Sequence, residues 1–88
     1  VVVSNFTNHL YALAEAFCRK EGLDFKQLLP LIEETALRIK DVSPHEAQTG
    51  PAARHDKETI QKHLELLKDH PQLKNIYLLL SESIQQEK

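Results

Sequence analysis

The sequence predicts an all-α domain, a small bundle of about four helices, from two observations. Apolar residues recur at steps of three and four through most of the chain, and no alternating run of useful strand length occurs anywhere. The composition agrees: 41% hydrophobic and 27% charged residues in 88 is the balance of one ordinary globular domain.

The first helix is the clearest. Val3, Phe6, Leu10, Leu13 and Phe17, with Ala14 and Cys18 beside them, put one apolar stripe on it, and the β-branched opening 1–3 leads straight in. Its expected stop is Gly22, where a left-handed residue can close the last turn, with Arg19 and Lys20 set against the negative end of the helix dipole. Asp24 with Gln27 three residues on has the look of a capping box, and Leu28, Leu29, Leu31, Ile32, Ala36 and Ile39 continue with helical spacing. Pro30 interrupts that run because it has no N–H to donate four residues back. The second helix is therefore expected to be kinked or broken at Pro30, with a helix beginning there as the alternative.

Across residues 42–55 the period lapses, and two prolines and a glycine predict a long loop over 43–55. Asp56 is a natural N-cap for the next run, in which Ile60, Leu64 and Leu67 face one way with His63 adjacent. Pro71 ends it. Leu73, Ile76, Tyr77, Leu80 and Ile84 then make a last amphipathic helix that trails into polar residues 81–88.

Several function classes are poor fits. Eleven Lys plus Arg against thirteen Asp plus Glu leave a net charge of −2, so nucleic-acid binding is not expected. No stretch reaches the length of a membrane span. The single cysteine, Cys18, cannot form an intrachain disulfide and falls on the apolar stripe, which points to a reducing, cytoplasmic setting and a packing role. His9, His45, His55, His63 and His70 contain no pair four apart on one helical face, so no metal site is expected. No serine stands in a nucleophile elbow and no glycine-rich phosphate loop is present, so the chain by itself is not expected to be an enzyme. It opens on Val and contains no Met, the expectation for a piece of a longer polypeptide, with residues 1–88 forming one helical domain of it.

One segment is more particular. In Thr49-Gly50-Pro51-Ala52-Ala53-Arg54-His55-Asp56, Gly50 can take backbone angles closed to other residues and Pro51 fixes the next one, so Thr49 and Arg54 can be held by a stiff turn. Arg54 is a planar fork suited to a carboxylate or phosphate, and the plainer alternative is a local ion pair with Asp56.

Thr49-Gly50-Pro51, Arg54, Asp56 and His63-Leu64, with Ser4-Asn5-Phe6 at the opening and Leu28-Leu29-Pro30-Leu31 between, resemble the helical C-terminal domain that follows a Rossmann-like domain in a group of NAD(P)-dependent oxidoreductases. These are similar in plan to the 6-phosphogluconate dehydrogenases, hydroxyacid dehydrogenases and pyrroline-5-carboxylate reductases. The resemblance spans nearly the whole chain. It implies a helical domain that supplies homodimer contacts and one wall of a substrate cleft, with NAD(P) bound by the N-terminal Rossmann domain of the same chain. It further implies that Asn5, Thr49, Gly50, Pro51, Arg54 and His63 lie toward that cleft.

Two departures bear on this. Hydroxyacid dehydrogenases place a catalytic lysine three residues before such an asparagine, where this chain has Val2, so the catalytic residue is left open. Members often have glycine between the Arg and the Asp, where this chain has His55. The competing expectation is a free-standing helical module that binds a partner helix in an apolar groove. A small ligand-binding bundle is a third.

Overall fold

The computed structural model describes all 88 residues and divides into two compact units, Val1–Asp41 and Val42–Lys88. Every regular element is helical. No helix is long and apolar enough to cross a membrane.

The first unit opens with a wide turn over Val2–Phe6, in which the Phe6 amide reaches back five residues to the Val1 carbonyl at 3.0 Å. It runs without a break into α1 (Thr7–Lys20). The end of α1 is built as expected. Gly22 takes φ +74°, the Leu23 amide donates to the Cys18 carbonyl at 2.7 Å and the Gly22 amide to that of Arg19 at 3.4 Å, which together form a Schellman closure. Cys18, at 5% exposure, is the one buried residue of this unit, while Leu10, Leu13 and Phe17 are half-buried. The start of the stripe is not covered: Val3 and Phe6 are 88% and 58% exposed.

The two possibilities at Pro30 resolve into a short turn followed by a helix. Phe25–Leu28 form a tight 3₁₀ turn packed against α1, and α2 (Leu29–Arg38) begins beyond it with Pro30 in its first turn, where the missing N–H has no partner to lose. The Asp24 carboxylate accepts from the Lys26 amide at 3.0 Å, one residue short of the Gln27 amide of a capping box, because a 3₁₀ turn is wound more tightly than an α-helix. Leu31, Leu37 and Ile39 stay more than half exposed.

In the second unit the long loop is not wholly irregular. Ser43 caps a single helical turn, α3 (Pro44–Ala47), by accepting from the Glu46 amide at 3.3 Å. Four residues are too few to show a hydrophobic period, so this turn is absent from the sequence expectation. Helix α4 (Lys57–Leu66) follows, then α5 (Pro71–Glu87), which runs through most of the polar tail. The Lys88 ammonium donates to the His45 carbonyl at 2.6 Å and ties the end of α5 to α3. Ala52 and Leu67 are the buried residues of this unit, at 4% and 7% exposure.

Candidate functional site

The candidate residues of the second unit sit on two adjoining pieces of chain. Gly50 has φ +102°, in the region only glycine enters freely. Pro51 follows, and the next residue, Ala52, is buried beneath the turn. The turn closes on His55, whose φ of +55° is left-handed. There the Asp56 amide donates to the Pro51 carbonyl at 2.9 Å and the His55 amide to that of Ala52 at 3.1 Å. The position at which the resembling proteins often carry glycine is thus one where the backbone takes a glycine-like angle.

Asp56 is the pivot between turn and helix. Its Oδ1 accepts from the Thr59 amide at 3.1 Å and its Oδ2 from the Thr59 hydroxyl at 2.7 Å, so it caps α4 with both oxygens. Arg54 Nη2 stands 3.6 Å from the same Oδ2. The Thr59 hydroxyl and then the Thr59 amide hold the Asp56 carboxyl below its ordinary value; burial opposes them, and the Arg54 charge contributes less than either. The local Arg54–Asp56 pair is therefore present, and the Arg54 side chain remains 60% exposed. Thr49 is exposed, and its carbonyl accepts from the Gln48 side-chain amide at 3.0 Å.

His63, two turns into α4, makes a contact that the sequence does not announce. Its Nδ1 lies 2.8 Å from the Tyr77 hydroxyl on α5, and the two rings meet edge to face with centroids 5.8 Å apart. Burial pushes the Tyr77 phenol above its ordinary pKa, and a hydrogen bond with the Ser81 side chain pulls it partway back. In the sequence Tyr77 is part of an apolar stripe and Ser81 part of a polar tail. The available signal was their spacing of four, which puts both on one face of a helix.

Of the candidates, Thr49, Gly50, Pro51 and Arg54 share one turn, and His63 belongs to the helix that this turn caps. Asn5 belongs to the first unit, where it is exposed and accepts from the Ser4 hydroxyl at 3.2 Å. No three His, Cys, Asp or Glu side chains group in a way that could hold a metal. The two glycines close α1 and enter the 50–55 turn, and neither joins a strand to a helix N-terminus. A dinucleotide phosphate loop sets its glycines between a strand and a helix N-terminus.

A family model described as a domain of unknown function, DUF2520, matches residues 1–84. The chain belongs to the DUF2520 family. Among solved structures it is similar to a crystal structure described as a "putative NADP oxidoreductase BF3122 from Bacteroides fragilis", with 46% identity, a TM-score of 0.94 and coverage of the whole of this chain. The DUF2520 chain spans about a third of that protein's length, 34%. Comparison with curated proteins gives no match. The helical-domain resemblance drawn from the Thr-Gly-Pro, Arg, Asp and His-Leu positions agrees with both findings.

Proposed function

We propose that this DUF2520 domain supplies the dimer contacts and one wall of the substrate cleft of an NADP-dependent oxidoreductase. The dinucleotide is bound by a Rossmann-like domain of the same polypeptide, and the helical domain is inactive without it. One observation carries this reading: a protein described as an NADP oxidoreductase matches all 88 residues at 46% identity and is about three times as long. The NADP in that protein's description favours NADP over NAD. The absence of a phosphate-cradling glycine turn in these residues is what a division of labour between two domains requires.

In this role the stiff turn at Thr49, Gly50 and Pro51, the exposed Arg54 fork and His63 face the substrate. Arg54 is suited to a carboxylate or phosphate on the substrate, since only one edge of its guanidinium is engaged by Asp56. The exposed apolar residues are consistent with surfaces covered in the assembled protein. Leu31 and Leu37 lie on α2 with Ile39 at its C-cap, and Leu78, Leu79 and Leu80 lie on α5, all at least 43% exposed. Pairing with a second copy about a two-fold axis would cover such faces. The unpaired Cys18 fits a cytoplasmic setting.

The test is made on the longer polypeptide. It is expected to quench and shift NADPH fluorescence on binding, and to sediment as a dimer. Arg54→Ala is expected to leave NADPH binding unchanged while weakening turnover of whichever substrate is found. A polypeptide that binds no nicotinamide nucleotide would remove the oxidoreductase reading and leave the partner-helix module as the better one.

A further inference from the structure

We infer that Tyr77 holds the His63 ring in the tautomer protonated on Nε2, so that this side chain meets its ligand as a hydrogen-bond donor to an oxygen acceptor. The inference deepens the proposed function, and rests on it for the position of His63 at the substrate cleft.

The 2.8 Å separation of His63 Nδ1 and Tyr77 Oη requires one proton between them. There are two ways to place it. If Nδ1 carried the proton, imidazole would be the donor and phenol the acceptor. A phenol O–H, with an ordinary pKa near 10, is a better donor than a neutral imidazole N–H, and an imidazole nitrogen is a much better acceptor than a phenol oxygen. The favoured arrangement is therefore Tyr77 O–H donating to His63 Nδ1, which leaves the ring proton on Nε2.

Ser81 strengthens that direction. It stands one helical turn beyond Tyr77 on α5 and is hydrogen-bonded to the phenol. Where the serine O–H donates to the phenol oxygen, it polarises the phenol O–H toward His63. Burial pushes the phenol above its ordinary pKa, which favours the protonated form that donates. The edge-to-face contact between the rings, 86° between planes, opposes a flip of the imidazole. His63 Nε2 makes no hydrogen bond within the chain. The result is a relay, Ser81 to Tyr77 to His63, whose free end is an N–H.

Nitrogen-15 NMR of the histidine side chains in the intact chain, above the pH range of imidazole protonation, reads the tautomer directly. The expected spectrum gives His63 a pyrrole-type shift at Nε2 and a pyridine-type shift at Nδ1. Tyr77→Phe is expected to move both shifts toward the average of a free imidazole, and Ser81→Ala to move them part of the way. Ser81→Ala keeps the test available if Tyr77→Phe does not fold.

Acetate serves as the probe for an oxygen acceptor. Its titration is expected to shift the Nε2 signal saturably, with several-fold weaker affinity in Tyr77→Phe. A pyridine-type shift at Nε2 overturns the relay, and an Nε2 signal indifferent to acetate overturns the donor role. Failure of the longer polypeptide to bind NADPH would instead overturn the cleft assignment, leaving the tautomer result in place.

Discussion

The turn that ends α1 and the turn that leads into α4 close with the same six-residue backbone hydrogen bond, Leu23 to Cys18 in one and Asp56 to Pro51 in the other. They differ in the residue that turns the chain. Gly22 takes its left-handed angle without a side chain to oppose it, whereas His55 takes one at which a Cβ is crowded by its own backbone. The first turn only stops a helix. The second must also deliver Arg54 and Asp56 to the entrance of α4, and Asp56 is held there by three interactions at once. A residue in an unfavourable conformation persists where its surroundings over-determine it, and such positions cluster at sites with a function.

Substitutions at the two turns can break or sharpen this contrast. The largest effect is expected from Gly22→Val, which puts a β-branched residue at φ +74°. Because no atom lies within 4 Å of the added Cβ, the loss of about 2 kcal/mol in urea unfolding followed by helical circular dichroism would be backbone strain alone. Gly22→His makes the first turn resemble the second and is expected to cost about 1 kcal/mol. The reciprocal change, His55→Gly, is expected to stabilise by about 0.5 kcal/mol, the relief of strain being partly offset by the greater freedom of glycine in the unfolded chain. The two sites belong to different units, and the double exchange is expected to equal the sum of the single effects. A His55→Gly protein less stable than wild type would show that the imidazole makes an interaction worth more than the strain.

A smaller effect is expected with acid. The Asp56 carboxyl is held below its ordinary value of 3.8, so its contribution is complete above that pH and is lost as the pH falls through the lower, folded-state value. Asp56→Asn should flatten this part of the stability profile between about pH 4 and the acid limit, measured by unfolding at a series of pH values. An unchanged profile would mean that Asp56 acts through geometry alone.

The unequal legibility of the two turns has the same origin. Gly22 and Asp56 mark an end and a start because capping and chain reversal act within a few residues, and both stand where the sequence places them, whereas Pro71, expected to end α4, opens α5 instead. His55 gives no such signal. Nothing in a histidine announces a left-handed angle, and only the resemblance, with its usual glycine at that place, hinted at one. The turn at 44–47 was invisible because four residues hold no period, while Pro30 left two outcomes open until the packing of the 3₁₀ turn against α1 chose between them. Of the candidate site, Thr49, Gly50, Pro51 and Arg54 could be read as one stiff unit since they are neighbours in the chain. The Tyr77 and Ser81 partners of His63 could not, because their meeting depends on how α4 and α5 pack.

By itself the sequence determined the all-helical class, the apolar stripes, the caps and the missing dinucleotide fingerprint, all consequences of periodicity and local stereochemistry. Tertiary structure alone decided which parts of those stripes are covered, that His55 adopts a glycine-like angle, and that a phenol 14 residues away faces the His63 ring. Those outcomes depend on distances between segments, and a linear pattern of residue types carries no distance beyond a turn or two of helix.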